Sequence, residues 1–418
     1  SRGLTLEGLN TSYFLRIAKI PVADTLTQMG RWFGYRKNYE DIFKIYLPKK
    51  LHVLFRQFTY AMEYARDKFE LMSTEKKSPI EFAIEIPSFP GWRLVSSIKM
   101  RDTVERKEPL IDSQYAREHQ TSVFYEGMKQ MENNRIVTDF INNLGPKFET
   151  SEEINKRIKD KIGQPKKIKG EINQSDEIEE IKSKIKMEKT PFNYTYLWKN
   201  VGYKKIIEFL QDYHYPIRSL NDTHPIMIAS NIELLAKQRN LDFNVVLFGV
   251  DREKKFEYFK LKNGILMSIV ERGENILKKP KVGQFSLGVL SDPEVELADM
   301  EPEQFENGVT AWLNYFKNTG KLATKTSKIP ARFKVYIRKV REKGLLAIYP
   351  FTRRSEKKLK DNFDFNKQLN FGWEIIIPPT RKEGNTELVH NVVNNRVAIE
   401  HILDAVKSVN EISNNEAN

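Results

Sequence analysis

The sequence predicts an α/β protein whose N-terminal part contains a parallel sheet. Its first 50 residues read as strand, helix, strand: an aromatic-rich apolar run over 11–17, a helix after Asp24, and a second strand over 42–47 closed by Pro48. Two strands separated by one helix are typical of a βαβ unit, in which the strands are parallel. The length of 418 residues predicts two or three domains, and 40% apolar residues suffice for a large core.

The remainder of residues 1–150 predicts a long helix, two strands and a strand–helix pair. A helix is expected from Lys49 to about Met72. Its apolar stripe comprises Leu51, Leu54, Phe55, Phe58, Met62 and Ala65. Segments 81–86 and 92–98 read as strands around a Pro/Gly turn, and 120–145 reads as a strand followed by a helix that ends at Gly145. Residues 1–150 are therefore taken as the first domain.

Residues 151–190 differ in composition from their neighbours. They contain 11 basic and 9 acidic residues and no aromatic residue. Isoleucines recur at helical spacing, which indicates short amphipathic helices interrupted near Gly163 and Ser175. The segment is either a mobile linker or a set of helices that pack on a neighbour, and we place a domain boundary here.

Residues 191–408 predict a C-terminal α/β domain, followed by a disordered polar tail over 409–418. The expected helices cover 196–213, 232–240, 302–320 and 330–344. The expected strands cover 243–250, 256–261, 264–270, 344–351 and 372–378.

Charge is unevenly distributed along the C-terminal third. The net charge is +13, and 14 Lys/Arg against two acids fall between Lys321 and Lys360. Seven acids and no base fall between Gln284 and Glu306. A basic region of this density is typical either of phosphate-backbone binding or of a solvated lysine-rich face. On the first alternative, the outward-facing residues that contact DNA are Arg332, Lys334, Arg338, Lys339 and Arg341.

Composition excludes several classes of protein. The chain has no cysteine, which excludes disulfide frameworks, thiolate metal sites and a cysteine nucleophile. No apolar run approaches the length of a transmembrane helix, and no secretory signal is present, so a cytoplasmic protein without a membrane partner is expected. Because the chain opens inside a Gly/Ser/Thr-rich motif without Met, we expect it to be cut from a longer polypeptide.

Two strings near the N-terminus carry the clearest chemical signal. SRGLTL occupies 1–6 and QMGRWFGYR occupies 28–36, and a predicted strand separates them. Glycine beside arginine lets the backbone approach a phosphate closely, and an arginine that reaches an interlobe cleft can stabilise charge on a γ-phosphate. The pair resembles motifs V and VI in the second RecA-like lobe of superfamily 2 helicases. The resemblance implies a truncated RecA-like parallel sheet, with Arg31 and Arg36 as catalytic arginines.

The same resemblance implies a nucleotide- and DNA-binding cleft. Its residues are Arg2, Gly3, Thr5, Gln28 and Gly30. Compared with the common motif pattern QxxGRxxR, Gln28 lies one residue nearer to the Gly-Arg pair. Trp32, Phe33 and Tyr35 read either as stacking platforms for bases or, in preference, as buried wedges.

The longer string is similar to the Z1 domain family. The similarity starts with SRGLTLEGLNTSYFLR, DTLTQMGRWFGYR and YEDIFKIYLP, and continues through WRLVSSIKMR, GVLSDPEVELADM, GLLAIYPF and GWEIIIP. Members are described as predicted endonucleases associated with helicase modules, in restriction or phage-defence operons beside DNA methyltransferases and GHKL ATPases. The resemblance implies an ATP-dependent protein acting on double-stranded DNA, with ATP and Mg²⁺ bound mainly by an upstream lobe.

The nuclease chemistry cannot be assigned to residues from the sequence. The sequence has no GxxxxGK[ST] and no DExD/H box. ExK pairs that could serve a metal-dependent nuclease occur at Glu75, Glu105, Glu253 and Glu356, but a chain rich in Glu and Lys contains several by chance. The alternative function is a non-catalytic scaffold or DNA-binding module that docks a methyltransferase or an ATPase.

Overall fold

The structure is a computed structural model. It describes residues 9–14, 20–30, 42–78, 85–87, 89, 93, 104–109, 117–162, 192–216, 224–249, 257–273, 283–287, 295–301, 303–304, 307–308, 337–338, 340–353, 369–378 and 387–393. Within these residues no helix is long and apolar enough to cross a membrane.

The described residues form a mixed α/β protein, as predicted. The helices are α1 (Ala23–Gly30), α2 (Lys49–Thr74), α3 (Met128–Asn143), α4 (Ser151–Ile162), α5 (Tyr203–Asp212) and α6 (Pro225–Gln238), with a 3₁₀ turn at Val295–Leu297. The N-terminal strands are β1 (Thr11–Tyr13), β2 (Lys44–Tyr46), β3 (Glu85–Pro87), β4 (Val104–Pro109), β5 (Arg117–His119), β6 (Ser122–Phe124) and β7 (Tyr196–Gly202). The remaining strands are β8 (Asp242–Leu247), β9 (Glu257–Lys260), β10 (Leu266–Arg272), β11 (Gln284–Ser286), β12 (Gly344–Arg353), β13 (Asn370–Ile376) and β14 (Glu387–Val393).

The chain divides into two compact units. Unit 1 comprises Ser1–Leu110, Ile217–Ser230 and Asn385–Asn418, and unit 2 comprises Ile111–Pro216 and Asn231–Gly384. These bounds do not coincide with the divisions at residues 150 and 190 that the sequence analysis proposed. Both units are discontinuous in sequence.

Unit 1 contains the predicted βαβ arrangement. β1 and β2 are parallel, with Thr11 opposite Lys44 and Tyr13 opposite Tyr46, and α1 lies between them in sequence. A second, antiparallel sheet has the order β3–β14–β4. The parallel strand pair predicted from the first 50 residues is confirmed for the residues described.

Helix α2 packs one face into the core of unit 1. The helix is confirmed and extends to Thr74. Its buried residues are Leu51, Leu54, Gln57, Tyr60, Ala61 and Ala65. Met62 was predicted on the buried stripe but is 40% exposed. The helix face that packs into the core contains Tyr60 and Ala61 instead.

Unit 2 is built on a seven-stranded mixed sheet. Five of its strands follow the order β5–β13–β12–β10–β9. The other two are β8, which pairs with β12, and β7, which pairs with β8. β12 is parallel to β8 and β10 and antiparallel to β13. At the start of β12, a Cβ atom on Gly344 would lie 2.1 Å from the Phe243 ring, so only glycine fits this close approach.

Both faces of the unit 2 sheet are covered. On one face, Leu345, Ala347 and Tyr349 join a cluster with Phe248 and Phe285. On the other face, α3 and α5 pack against β13, β7 and β8, and the Tyr213 ring meets Trp373 edge-on at 6.4 Å. Such two-sided burial explains why β12 reads as an unbroken apolar run.

The predicted helix 196–213 is wrong in its first seven residues. Residues 196–202 form β7, antiparallel to β8, and only 203–212 are helical. Leu197, Trp198 and Val201 are all buried by that pairing, while Asn200 has a φ of +58° where the register shifts. This irregularity breaks the strand alternation and leaves a spacing that imitates a helix.

Helix α4 packs into unit 2 even though its sequence reads as linker. Ile154 and Ile158 are buried in the cluster below the sheet, and Asn155 donates from Nδ2 to the carbonyl of Phe192 at 2.7 Å. The proposed packing alternative therefore holds for 151–158. The part of the predicted linker beyond residue 162 lies outside the described residues.

Candidate functional site

The βαβ arrangement of unit 1 adjoins both sequence motifs along the chain. The Lys44 amide donates to the Asn10 carbonyl at 2.8 Å, and the Phe14 amide donates to the Tyr46 carbonyl at 2.8 Å. Because β1 and β2 are parallel, the chain enters both strands at the same sheet edge. Residues 1–8 precede β1, and residues 31–41 precede β2.

Helix α1 presents one buried and one exposed face at this point. Ala23 and Leu26 enter the core beside Leu51 and Leu54. Gln28 is exposed in the last turn, and Gly30 is the final helical residue. An exposed polar side chain at Gln28 is consistent with a cleft residue and equally with a solvated helix face.

The other predicted cleft residues lie outside the described residues. They are Arg2, Gly3, Thr5, Arg31 and Arg36. Trp32, Phe33, Tyr35 and the Glu253–Lys255 pair also lie outside them.

His224 lies at the N-terminus of α6 in unit 1. Its Nδ1 accepts a hydrogen bond from the Ile226 amide at 3.2 Å, and its ring lies 4.9 Å from that of Tyr60. Burial, with a further contribution from the charge of Arg56, lowers the pKa of His224 to about 3. The imidazole is therefore neutral near pH 7 and caps the helix rather than acting as an acid.

The charged residues of unit 2 converge on one buried segment. Residues 295–301, here called the acidic segment, lie against the sheet and contain Glu296, Asp299 and Glu301. Glu296 is 1% exposed and Asp299 is 4% exposed. Buried carboxylates are costly unless each is paired and hydrogen-bonded, so the partners decide what this segment does.

Glu296 is paired with two arginines. Arg338 binds it with both prongs of its guanidinium, Nε to Oε2 at 2.8 Å and Nη2 to Oε1 at 2.6 Å. Arg117 lies 3.9 Å away on the other side. Fork-to-carboxylate geometry of this kind combines charge with directional hydrogen bonds.

Asp299 has an equivalent arrangement with Arg341. The guanidinium donates to Oδ2 at 2.8 Å and to Oδ1 at 2.6 Å, and also to the Glu296 carbonyl at 2.9 Å. Asn244 on β8 donates to the same carboxylate at 3.0 Å. This contact joins the acidic segment to the start of the parallel strands.

The end of the acidic segment is held by a lysine and a fourth arginine. Lys199 binds Glu149 at 2.6 Å and Glu301 at 2.9 Å, and Arg157 binds Glu149 at 3.1 Å while donating to the carbonyls of Ala298 and Met300. Burial alone would lower the pKa of Lys199, but its two carboxylate hydrogen bonds raise it overall.

Glu374 places a further carboxylate within the sheet itself. It lies on β13, opposite Ala347, and accepts from Arg117 Nη2 at 3.0 Å and from the Tyr349 hydroxyl at 3.2 Å. Burial would lower the pKa of Arg117, but the hydrogen bond and charge of Glu374, with the charge of Glu296, raise it overall.

The network is electrically balanced. Its carboxylates are Glu149, Glu296, Asp299, Glu301 and Glu374, and its cations are Arg117, Arg157, Lys199, Arg338 and Arg341. In the part of the chain that the structure describes, no group of three His, Asp or Glu side chains could hold a metal ion. This arrangement holds the acidic segment in place and has the character of structural ion pairing.

The placement of Arg338 and Arg341 corrects the sequence analysis. Both were expected to face outward toward DNA, and both are buried against Glu296 and Asp299. Their carboxylate partners come from the acid-rich stretch, so part of the charge polarisation is neutralised inside the fold. Arg332, Lys334 and Lys339 lie outside the described residues, and their contact with DNA stays a prediction.

Sequence reasoning did not identify most of this network. Arg117, Lys199 and Glu374 are separated by long stretches of chain and belong to no motif. The available signal was the base-free acidic stretch followed by a base-rich one, which indicates mutual pairing as readily as a polyanionic ligand. A polar pocket beside the network is lined by Lys199, Asn244, Asp299, Glu301, Gln304, Arg341, Glu342 and Lys343.

Comparison with known proteins gives a match to a family model. A family model described as the Z1 domain matches residues 1–92, a stretch that lies within unit 1. This match supports the Z1 domain family for the N-terminal stretch. The resemblance beyond residue 92 stays a prediction. No curated protein and no solved structure matches the chain.

Proposed function

We propose that the chain belongs to an ATP-dependent, helicase- or translocase-like protein of Z1 type that acts on double-stranded DNA. Unit 1 would belong to a RecA-like second lobe, and cleavage of foreign DNA in restriction or phage defence would be the outcome. The observation that carries the proposal is the parallel β1–α1–β2 arrangement within the stretch matched by the Z1 model.

Chain order supports a shared site for the two motifs. The first motif leads into β1, and the second begins at Gln28 in the last turn of α1 and leads into β2. Since the two strands begin at the same end of the sheet, this chain order would bring both motifs to that end. Loops of α/β proteins that meet at one edge commonly build a binding cleft.

The proposed role of the motif arginines is electrostatic. ATP with Mg²⁺, bound mainly by another lobe, would supply the free energy of phosphoryl transfer. The guanidinium groups of Arg31 and Arg36 would stabilise negative charge on the transferring group, as arginine fingers do. Gly3 and Gly30 would let backbone approach a phosphate, while Arg2, Thr5 and Gln28 would line the cleft.

The test is ATP turnover by the longest polypeptide that the coding sequence specifies, measured with and without duplex DNA. DNA should stimulate turnover, and Arg31→Ala should lower it about 100-fold or more, since a lost arginine finger costs about 10³–10⁵ in rate. Arg66→Ala is the matched control: Arg66 is an exposed arginine on α2 of the same unit, and turnover should stay unchanged.

Two results would count against the motor. Absence of turnover, or turnover that is equal in Arg31→Ala and wild type, would favour the non-catalytic scaffold that docks a methyltransferase or a GHKL ATPase. Pull-down with those two partner classes would then be the next experiment.

The basic region is a separate part of the proposal. Neutralising Arg332, Lys334 and Lys339 one at a time should each reduce the slope of log affinity against log salt for duplex DNA by about 1. Lys260→Gln serves as the control, since Lys260 is an exposed lysine of β9 in unit 2. Unchanged slopes in all three variants would remove this region from the DNA interface.

A further inference from the structure

One face of the β1–β2 pair in unit 1 is exposed and aromatic. Tyr13 is 64% exposed and Tyr46 is 47% exposed. Their rings are stacked, with centroids 4.5 Å apart and planes 9° apart. The two residues are opposite each other in the parallel register, so both side chains project from the same face of the pair.

The opposite side of the same two strands is covered at Phe14, while Ile45 on that side is 39% exposed. Phe14, next to Tyr13 in sequence, is buried with Leu26 and Leu54 in the core of unit 1. Parallel strands are normally covered on both faces, yet here two large aromatic rings remain open to solvent. Exposed aromatic side chains grouped in this way mark a binding surface.

The charges around the rings favour a polyanion. Lys44 shares the strand face of Tyr46, two residues away, and Lys49 and Lys50 follow at the start of α2. All three lysines are exposed, and residues 42–50 contain no acid. Two lysines in the first turn of a helix oppose the helix dipole, so helix stability does not account for them.

We propose that this face, comprising Tyr13, Tyr46 and Lys44, binds single-stranded nucleic acid. Bases would continue the tyrosine stack on its outer ring faces, while lysine ammonium groups contact the phosphates. Stacking on aromatic rings tolerates any base, because every base offers a π-face. The proposal stands on residues other than Arg31 and Arg36, so it can fail or succeed independently of the proposed ATPase.

The test is fluorescence anisotropy of labelled oligo(dT) of about 15 nucleotides, a length that covers one binding site. Tyr13→Ala and Tyr46→Ala should each weaken binding about 5- to 100-fold, the effect of losing one base–aromatic stack. Tyr46→Phe keeps the ring and should bind within about twofold of wild type, since stacking needs the ring alone.

Phe69→Ala is the matched control. Phe69 is a 48% exposed aromatic residue of α2 in the same unit, so its loss should leave affinity within about twofold of wild type. Lys44→Gln is a surface change that does not disturb the strand pairing. It should lower the salt slope by about 1, which keeps the proposal testable even if an alanine variant folds poorly.

Several results would overturn the assignment. Wild type that fails to bind oligo(dT), tyrosine variants that bind like wild type, or an equal loss in Phe69→Ala would each do so. A concentration-dependent dimer that is lost in Tyr13→Ala would instead show that a second copy covers the face.

Discussion

The two units use charged and aromatic residues in opposite ways. In unit 2, Trp198 and Trp373 are buried, and the carboxylates of the acidic segment are bound by arginines and a lysine of the same unit. In unit 1, Tyr13 and Tyr46 are exposed, and Lys44 lies within residues 42–50, which contain no acid. A charged stretch therefore indicates a ligand only where the fold does not supply the opposite charge.

The largest effect on stability is expected from removing one charge of the buried ion-pair network in unit 2. Glu296→Gln would leave Arg338 without its counter-charge, and breaking a buried ion pair costs about 3–5 kcal/mol. The free energy of unfolding, measured by urea denaturation, should fall by that amount. Glu303→Gln, an exposed acid of the same acid-rich stretch, should change it by less than about 0.5 kcal/mol.

If Glu296→Gln were as stable as wild type, the acidic segment would not depend on its ion pairs. The convergence of arginines upon it would then need another explanation.

The close packing of the unit 2 sheet gives the next largest effect. Gly344→Ala would bring a Cβ within 2.1 Å of the Phe243 ring, and overpacking of a core costs about 1–3 kcal/mol. Gly202→Ala, at a glycine with no atom within 4 Å of the added Cβ, is the control. Equal melting temperatures for the two variants would contradict the packing at the start of β12.

Unit 1 has its own buried titratable group in His224. Its pKa is about 3 in the folded state, whereas the ordinary value is 6.5. Between pH 6.5 and pH 3, His224 is therefore protonated in the unfolded chain and neutral in the folded one. Stability from this group is complete above pH 6.5 and is lost as the pH falls toward 3.

Between pH 6.5 and 4.5 the loss should be about 2 kcal/mol. His224→Asn keeps a side-chain acceptor at the helix N-terminus and removes the titration. Its unfolding free energy should therefore fall less over this range than that of wild type. Parallel curves for the two proteins would show that His224 is not buried in the neutral form.

The smallest effect is expected for an exposed ion pair. Glu63 and Arg66 form an i,i+3 pair on α2, with side chains 37% and 68% exposed. Glu63→Gln should change the unfolding free energy by about 0–0.5 kcal/mol, because exposed pairs contribute little. A loss near that of Glu296→Gln would remove the distinction between surface and buried pairing.

Local sequence patterns predicted the elements of unit 1 well. Strand, helix and strand over residues 11–47 follow from short-range periodicity and from Pro48, which ends the second strand. The same reasoning failed at residues 196–202, where the irregular pairing with β8 removes the alternation. Periodicity reports the exposure of a segment and only indirectly its hydrogen-bond partners.

The buried network could not be predicted for a related reason. Arg338 has the same sequence context whether it faces phosphate or Glu296, which lies 42 residues earlier. Glu374 sits in an apolar strand, and its partner Arg117 comes 257 residues earlier. Pairings over such separations depend on the order of strands in the sheet, which composition and spacing do not report.

The most direct test of the contrast between the units is a map of photo-crosslinks between the whole chain and single-stranded DNA that carries 5-iodouracil. We predict crosslinked peptides that contain Tyr13 and Tyr46 of unit 1. Crosslinks that arise only from peptides of unit 2 would contradict the account and return the nucleic-acid surface to the basic region between Lys321 and Lys360.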